Sequence, residues 1–192
     1  FLVPADAAGL SLRPYLTIDG QRAAEVMLAD VAVGADALLG PDGGALPVIE
    51  QAVDIATAAL CAEAVGCMQA TFERTRDYLN TREQFGTKIG NFQALQHALV
   101  DMFIELEQSR SMAIVAAVHA DAADAAARRR AISAAKVQIG KSGRAIGQSA
   151  VQLHGGMGMT DEMQVGHYFK RLTAIEQTFG DGDHHLARFQ AA

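Results

Sequence analysis

The sequence predicts a mainly α-helical protein, a helical bundle preceded by a small β segment. Three observations predict it. Phe92, Leu95, Leu99, Met102 and Leu106 recur at alternating steps of three and four, which places them on one helix face. Long Ala-rich stretches flank that run, and small side chains let helices pack closely side by side. Up to about Gly40 the texture is different, with short segments punctuated by turn residues.

In chain order, Asp19-Gly20 separates Ser11–Ile18 from Ala24–Val33, a hairpin signal that predicts strand, turn and strand. Leu39-Gly40-Pro41-Asp42-Gly43-Gly44 breaks the pattern, so a β piece over residues 1–40 is expected to give way to a helical domain over 41–192. The first helix is expected from Leu46 to Asn80. Asn91 is the expected N-cap of the second, because its side-chain oxygen can accept from an early backbone N–H. Ala120–Ala127 reads as an Ala/Asp helix end or loop, and a third helix follows from Ile132 to Leu153. Gly155-Gly156-Met157-Gly158 ends it. A fourth helix is expected over Asp161–Gln177, a break at Phe179-Gly180-Asp181-Gly182, and a short last helix over Asp183–Gln190.

Composition narrows the function. Half of the residues are hydrophobic and 20% are charged, enough apolar material for a packed core. The net charge is -6, and the 16 Lys and Arg are scattered or form short clusters such as Arg128-Arg129-Arg130, not the basic face that nucleic acid requires. Cys61 and Cys67 lie six apart in an apolar run and fit neither a disulfide framework nor a zinc pattern. No run approaches the roughly 18 to 20 apolar residues of a membrane span, and no basic-then-apolar leader opens the chain. A cytoplasmic protein is expected. Phe1 stands where an initiator Met would, so a piece of a longer chain is expected too.

Two segments carry candidate chemistry. Thr81–Gln93 joins two helices and holds Arg82, Phe85 and two glycines; a forked guanidinium beside amides and exposed main chain suits a pyrophosphate, and a solvated helix–helix loop suits the same residues. Gln152-Leu153-His154-Gly155-Gly156-Met157-Gly158 offers the same choice between a ligand loop and a helix C-cap.

Taken together, Arg-x-x-Phe-Gly followed by Phe-Gln, then Gln-x-x-Gly-Gly-x-Gly about sixty residues later, resembles the C-terminal half of the acyl-CoA dehydrogenases. Val100-Asp101-Met102 and Lys170-Arg171 before Ile175 extend the likeness, and Phe1–Gly40 resembles the last strands of that family's middle β domain. The resemblance implies a four-helix bundle carrying part of an FAD site shared between subunits. It points to Arg82, Gln84, Phe85 and Gln93 for the pyrophosphate of an FAD held mainly by an adjacent subunit, and to Gln152, Gly155 and Gly156 toward the adenosine end.

It also implies α,β-dehydrogenation of an acyl-CoA thioester to the trans-2-enoyl-CoA. One carboxylate takes the α-proton, and electrons leave through an electron-transferring flavoprotein. Counting back from Arg188 and matching Gly182 puts Asp181 in the place of the family's glutamate base and Asp183 in that of a threonine that touches the cofactor. Aspartate is a methylene shorter, a displacement of roughly an ångström that can cost about a hundredfold in rate. Relatives that carry the base on the first helix align it with Ala56, which cannot take a proton, and Glu63 on the same helix is expected to serve packing or a helix-end contact. His184 or His185 is expected beside the cofactor or substrate, or capping contacts at the surface. No metal is expected, because adjacent histidines diverge by about 100° on a helix. Asp181-Gly182-Asp183-His184-His185 resembles a bacterial branch that includes small subunits working with a homologous chain. Homodimers, tetramers and such heteromers are therefore all expected partners, and a subunit giving only FAD contacts and structure is the alternative function.

Overall fold

The computed structural model describes all residues, Phe1–Ala192. It divides into two compact units, 1–52 and 53–192.

In the first unit, β1 (Leu10–Leu16) pairs antiparallel with β2 (Arg22–Leu28), with Leu10 opposite Leu28 and Leu16 opposite Arg22. The first strand stops two residues short of the expected turn, and the second starts two residues nearer to it than expected. Thr17 N–H donates to the Gln21 carbonyl at 2.9 Å, and Gly20 takes a positive φ of 79°, so the connection is a closed five-residue loop. Asp30, at φ 52°, follows the second strand, which therefore stops well before Val33.

Helix α1 (Leu46–Thr81) opens the bundle. It is followed by a minimal hairpin absent from the sequence reading, β3 (Glu83–Gln84) and β4 (Thr87–Lys88), and by a 3-10 turn over Ile89–Asn91. Helix α2 (Gln93–His119) is N-capped by Phe92, not Asn91. Asn91 lies inside the 3-10 turn, and its Nδ2 donates to Thr87 Oγ1 at 2.6 Å. Helix α3 (Ala125–His154) begins seven residues before the expected start, because Asp124 caps it by accepting from the N–H groups of Ala126 and Ala127. Helix α4 (Gln164–Gln177) begins three residues late, and α5 (Gly182–Gln190) is capped by Asp181.

Cross-helix pairs give the directions. Phe72 meets Phe103 and Gln69 meets Arg110, so α1 and α2 run antiparallel. Tyr78 stacks on His154 and Asp54 meets Arg128, so α1 and α3 run parallel. Glu63 meets Arg171 and Arg74 meets Gln164, so α4 runs against both. The core between them is Cys61, Ala64, Met68, Met102, Leu106, Ile132, Ile139, Ile146 and Ile175, at most 2% exposed. Of the face expected on α2, Met102 and Leu106 are buried and Leu95 and Leu99 half-buried, while Phe92 stays exposed at the helix start. Small residues set the spacing: a Cβ on Gly147 would come within 2.5 Å of the Phe169 ring, so glycine there lets α4 close on α3.

Contrary to the expectation that no stretch suits a membrane span, α1 is apolar enough to cross a membrane by length and composition. It has no unbroken apolar run and owes its hydropathy to many alanines dispersed among residues such as Asp54 and Glu63. Part of that stretch is buried inside the bundle. Burial also pushes the Cys61 thiol up to about 11 and raises that of Cys67, as expected of small apolar core residues.

Candidate functional site

The parallel pairing of α1 with α3 brings Arg82 and Gly155 to one end of the bundle. The pin is Tyr78. Its ring stacks on buried His154 with centroids 4.4 Å apart, its carbonyl accepts from Arg82 N–H at 2.8 Å, and His154 immediately precedes Gly155. His154 Nδ1 bonds the Ala150 carbonyl at 2.8 Å, and burial holds its pKa below the usual histidine value, which favours the neutral ring. A cleft of about 300 Å³ opens here, lined by Arg74, Asp77, Tyr78, His154 and Gln164.

The hairpin beyond Arg82 turns on two residues, Phe85 (φ 55°) and Gly86 (φ 76°). Left-handed geometry at both positions matches the type I′ turn that suits strand twist, and it normally selects Asn-Gly. Phenylalanine in that place costs about 1 to 2 kcal/mol. Its ring gains little in return, being 91% exposed with one edge-on contact to Phe92 at 6.0 Å. Backbone strain of this kind clusters at active sites, ligand clamps and switch regions. Gln84 spends its amide on the Glu83 carbonyl at 2.8 Å. Gln93 opens α2, Gln152 is exposed on the last turn of α3, and Gly155, at φ 58°, ends that helix with Gly156 exposed beside it. The side chains of Arg82, Gln93 and Gln152 make no hydrogen bond or ion pair within the chain.

Asp181 lies elsewhere, beside the middle of α3. The residues of α3 from Gly140, which lines the same cleft as Asp181, to His154, at about 1.5 Å each, put roughly 21 Å between the two sets. The predicted site residues therefore form two sites, not one. Asp181 Oδ1 accepts from His184 N–H at 2.9 Å and its carbonyl accepts from His185 N–H at 3.1 Å, so this carboxylate caps α5. It also lines a cleft of about 330 Å³ with Gly140, Lys141, Arg144, Glu176 and Leu186. Arg144 pairs with Glu176 across it. Asp183, in the first turn of α5, lines the same cleft and not the Arg82 end.

His185 turns inward. It is fully buried, with Nδ1 3.2 Å from Ser133 Oγ and Nε2 3.1 Å from the Phe179 carbonyl. Both ring nitrogens are engaged inside the bundle, so the ring has no free atom for a cofactor. Burial, with the Lys136 charge second, lowers its pKa to about 4, so at neutral pH the ring is uncharged. A carbonyl only accepts, which assigns the proton to Nε2 and leaves Nδ1 to accept from Ser133. His184, exposed, packs edge-on against it at 5.2 Å.

Two further groupings have no local signal of function in the sequence. Lys136, 1% exposed, donates from Nζ to the carbonyls of Glu176 and Gly180 at 2.8 Å each, and burial lowers its pKa. The sequence shows only a lysine on the apolar face of α3, four residues after Ile132 and three before Ile139. Asp54, also 1% exposed, accepts from Arg128 at 3.2 Å and Arg188 at 3.0 Å, tying α1, α3 and α5 together. Those partners lie 74 and 134 residues away, beyond any local pattern. Glu63 pairs with Arg171 at 2.7 Å, an ion pair between the middles of α1 and α4 in place of the packing or helix-end contact expected of it. No group of three His, Cys, Asp or Glu side chains is placed to hold a metal.

Residues 43–191 match the model of the acyl-CoA dehydrogenase C-terminal domain. The chain belongs to the acyl-CoA dehydrogenase family. It is 31% identical over its whole length to the probable acyl-CoA dehydrogenase YngJ of Bacillus subtilis, of which it covers 50%. A variant of the Tcur3481-Tcur3483 steroid ACAD superposes with a TM-score of 0.84 at 31% identity, matching all of this chain and 50% of that one. Butyryl-CoA dehydrogenase from Megasphaera elsdenii superposes with a TM-score of 0.90 at 21% identity, again over 100% of this chain and 50% of that one, which speaks for the fold. The chain thus spans about half the length of the relatives it matches.

Proposed function

We propose that this chain is the C-terminal part of an FAD-dependent acyl-CoA dehydrogenase in which two separate regions serve two different tasks. The Arg82 end of the bundle contributes to the FAD site of a neighbouring subunit, and Asp181, beside the middle of α3, supplies the base. The observation that carries the reading is the separation itself, one predicted set at an end of the bundle and the other along its side.

The residues at the Arg82 end fit the cofactor. A guanidinium and two amide side chains without partners in the chain, main chain bared at Gly155 and Gly156, and a projecting aromatic ring are the donors and apolar cover that a dinucleotide needs. Arg82, Gln93 and Gln152 would hold the phosphates and sugars, and Phe85 would lie on the cofactor. FAD, when bound, supplies the acceptor for the β-hydride of the substrate. The chain's own contribution to the chemistry is a carboxylate at Asp181, fixed through one oxygen by His184 N–H, that takes the α-proton of an acyl-CoA thioester. An electron-transferring flavoprotein then takes the electrons.

The test is Asp181→Asn in the full-length holoenzyme, with flavin reduction by a panel of acyl-CoA thioesters as the readout. The expected result is unchanged FAD content and at least about a hundredfold slower reduction, the usual worth of a positioned base. Reduction at the original rate with FAD still bound overturns the assignment. A second reading, a non-catalytic subunit that gives FAD contacts and structure to a homologous partner, is favoured by the same carboxylate, since capping alone would account for Asp181. Turnover by the full-length chain alone, with stoichiometric FAD, removes it.

A further inference from the structure

The turn that carries Asp181 cannot hold its own shape. Phe179 and Gly180 both take positive φ, 59° and 108°, so the chain leaves α4 in a conformation with few internal hydrogen bonds. Gly180 N–H reaches the Gln177 carbonyl at 3.3 Å, a long bond. The carbonyls of Glu176, Phe179 and Gly180 are turned to donors on α3 and α5 in partly buried bonds, and carbonyls withdrawn from water need donors. Helix α3 answers for all three. Lys136 Nζ takes Glu176 and Gly180, and Ser133, one turn earlier on the same face, orients His185 toward Phe179. The Gly180 carbonyl is the peptide oxygen immediately before Asp181.

We infer that Lys136 is a positioning residue: its ammonium, inside the bundle, fixes the main chain on both sides of the turn and so aims the Asp181 carboxylate. This inference rests on the reading of Asp181 as the base, and it explains a costly choice. A buried cation bonded to neutral carbonyls gains less than one in an ion pair, and nothing in packing alone calls for lysine among Ile132, Ala135 and Ile139. The charge also lies close enough to feel the carboxylates of Glu176 and Asp181.

The experiment has two arms on the full-length chain. In the first, amide hydrogen exchange is compared between the parent and Lys136→Met, which keeps the stem and removes the three donors. Protection of residues 180–186 is expected to fall at least tenfold, with 132–153 unchanged. In the second, flavin reduction by acyl-CoA is measured for Lys136→Met, Asp181→Asn and the double variant. The maximal rate is expected to fall about tenfold to a hundredfold for Lys136→Met with the acyl-CoA concentration dependence nearly unchanged, and the double variant should be no slower than Asp181→Asn. Equal exchange in both proteins, loss of protection throughout the bundle, or additive rate losses overturn the inference. Local loosening combined with an active Asp181→Asn keeps the positioning role and rejects the base. If Lys136→Met does not fold, Lys136→Gln, which keeps a polar group but is too short to hold both carbonyls, gives the same two readings, with local loosening supporting the inference and none overturning it.

Discussion

The dipeptide Phe-Gly occurs twice in this bundle in left-handed geometry, at 85–86 and at 179–180, and the two are held in opposite ways. The first closes on itself. Glu83 and Gln84 pair with Lys88 and Thr87, nothing crowds Gly86, and the Phe85 ring is left in the open. The second has no ladder of its own. Its carbonyls are held by Lys136 and His185, and the space where a Cβ on Gly180 would go is taken by the His184 ring. The difference matches the proposed division of labour, in which the outer turn would be completed from outside by the cofactor and the inner one would keep Asp181 still.

Replacing each glycine by alanine should give the largest contrast. At Gly180 the new methyl meets both the backbone penalty of a positive φ and the His184 ring, a combined cost of roughly 3 to 4 kcal/mol. At Gly86 only the backbone penalty applies, about 1 kcal/mol. Urea unfolding followed by circular dichroism separates the two. Equal losses would mean that the His184 ring yields freely and that the inner turn is no more constrained than the outer one.

A pH titration sharpens the contrast next. His185 is buried neutral with a pKa of about 4, against 6.5 for an unhindered histidine. The unfolded chain therefore binds a proton between these values that the folded chain refuses. The stabilisation is whole above pH 6.5, falls as the pH drops toward 4 and is spent below it. About 2 kcal/mol should be lost between pH 7 and pH 4.5 on this account, and His185→Gln should remove that share of the pH dependence. A dependence unchanged in His185→Gln would place the titrating group elsewhere. Nothing comparable is expected of the outer turn, whose carbonyls are held by the hairpin alone.

How far the sequence revealed this depends on whether a signal is local. Helix existence, the apolar face of α2 and the break before α5 follow from spacing within one element, and they are read easily. The outer hairpin went unseen because two-residue strands have no periodicity, and Asn91 lost the cap because the 3-10 turn carries the chain one residue further before α2 begins. The motif positions Arg82, Phe85 and Asp181 were visible as resemblance. Their division between an end of the bundle and its side was not, since it depends on α1 and α3 running parallel. His185 could be read as facing a ligand because exposure cannot be judged on a nine-residue helix whose covering side is set by Ser133, 52 residues away. Arg128 stands in a short basic cluster with Arg129 and Arg130, and nothing local shows that it turns in to Asp54.

The smallest expected stability change is also the one that probes the purpose of the outer turn. Phe85→Asn puts the preferred Asn-Gly pair into the type I′ turn and removes the left-handed strain of a bulky residue, at the expense of a single edge contact with Phe92. The net should be a gain of about 1 kcal/mol, seen as a higher urea midpoint. If the ring is there to lie on a cofactor, the same variant of the full-length protein should lose flavin, with dissociation faster by about tenfold on dilution and dialysis. A more stable protein that releases FAD would mean the strain is kept for binding, as the openness of Phe85 and the unpaired Arg82 suggest. A more stable protein that holds FAD as before would leave the outer turn without a function and would turn attention to Gln152 and Gly155, on the other side of the Tyr78–His154 stack, as the main cofactor contacts at that end.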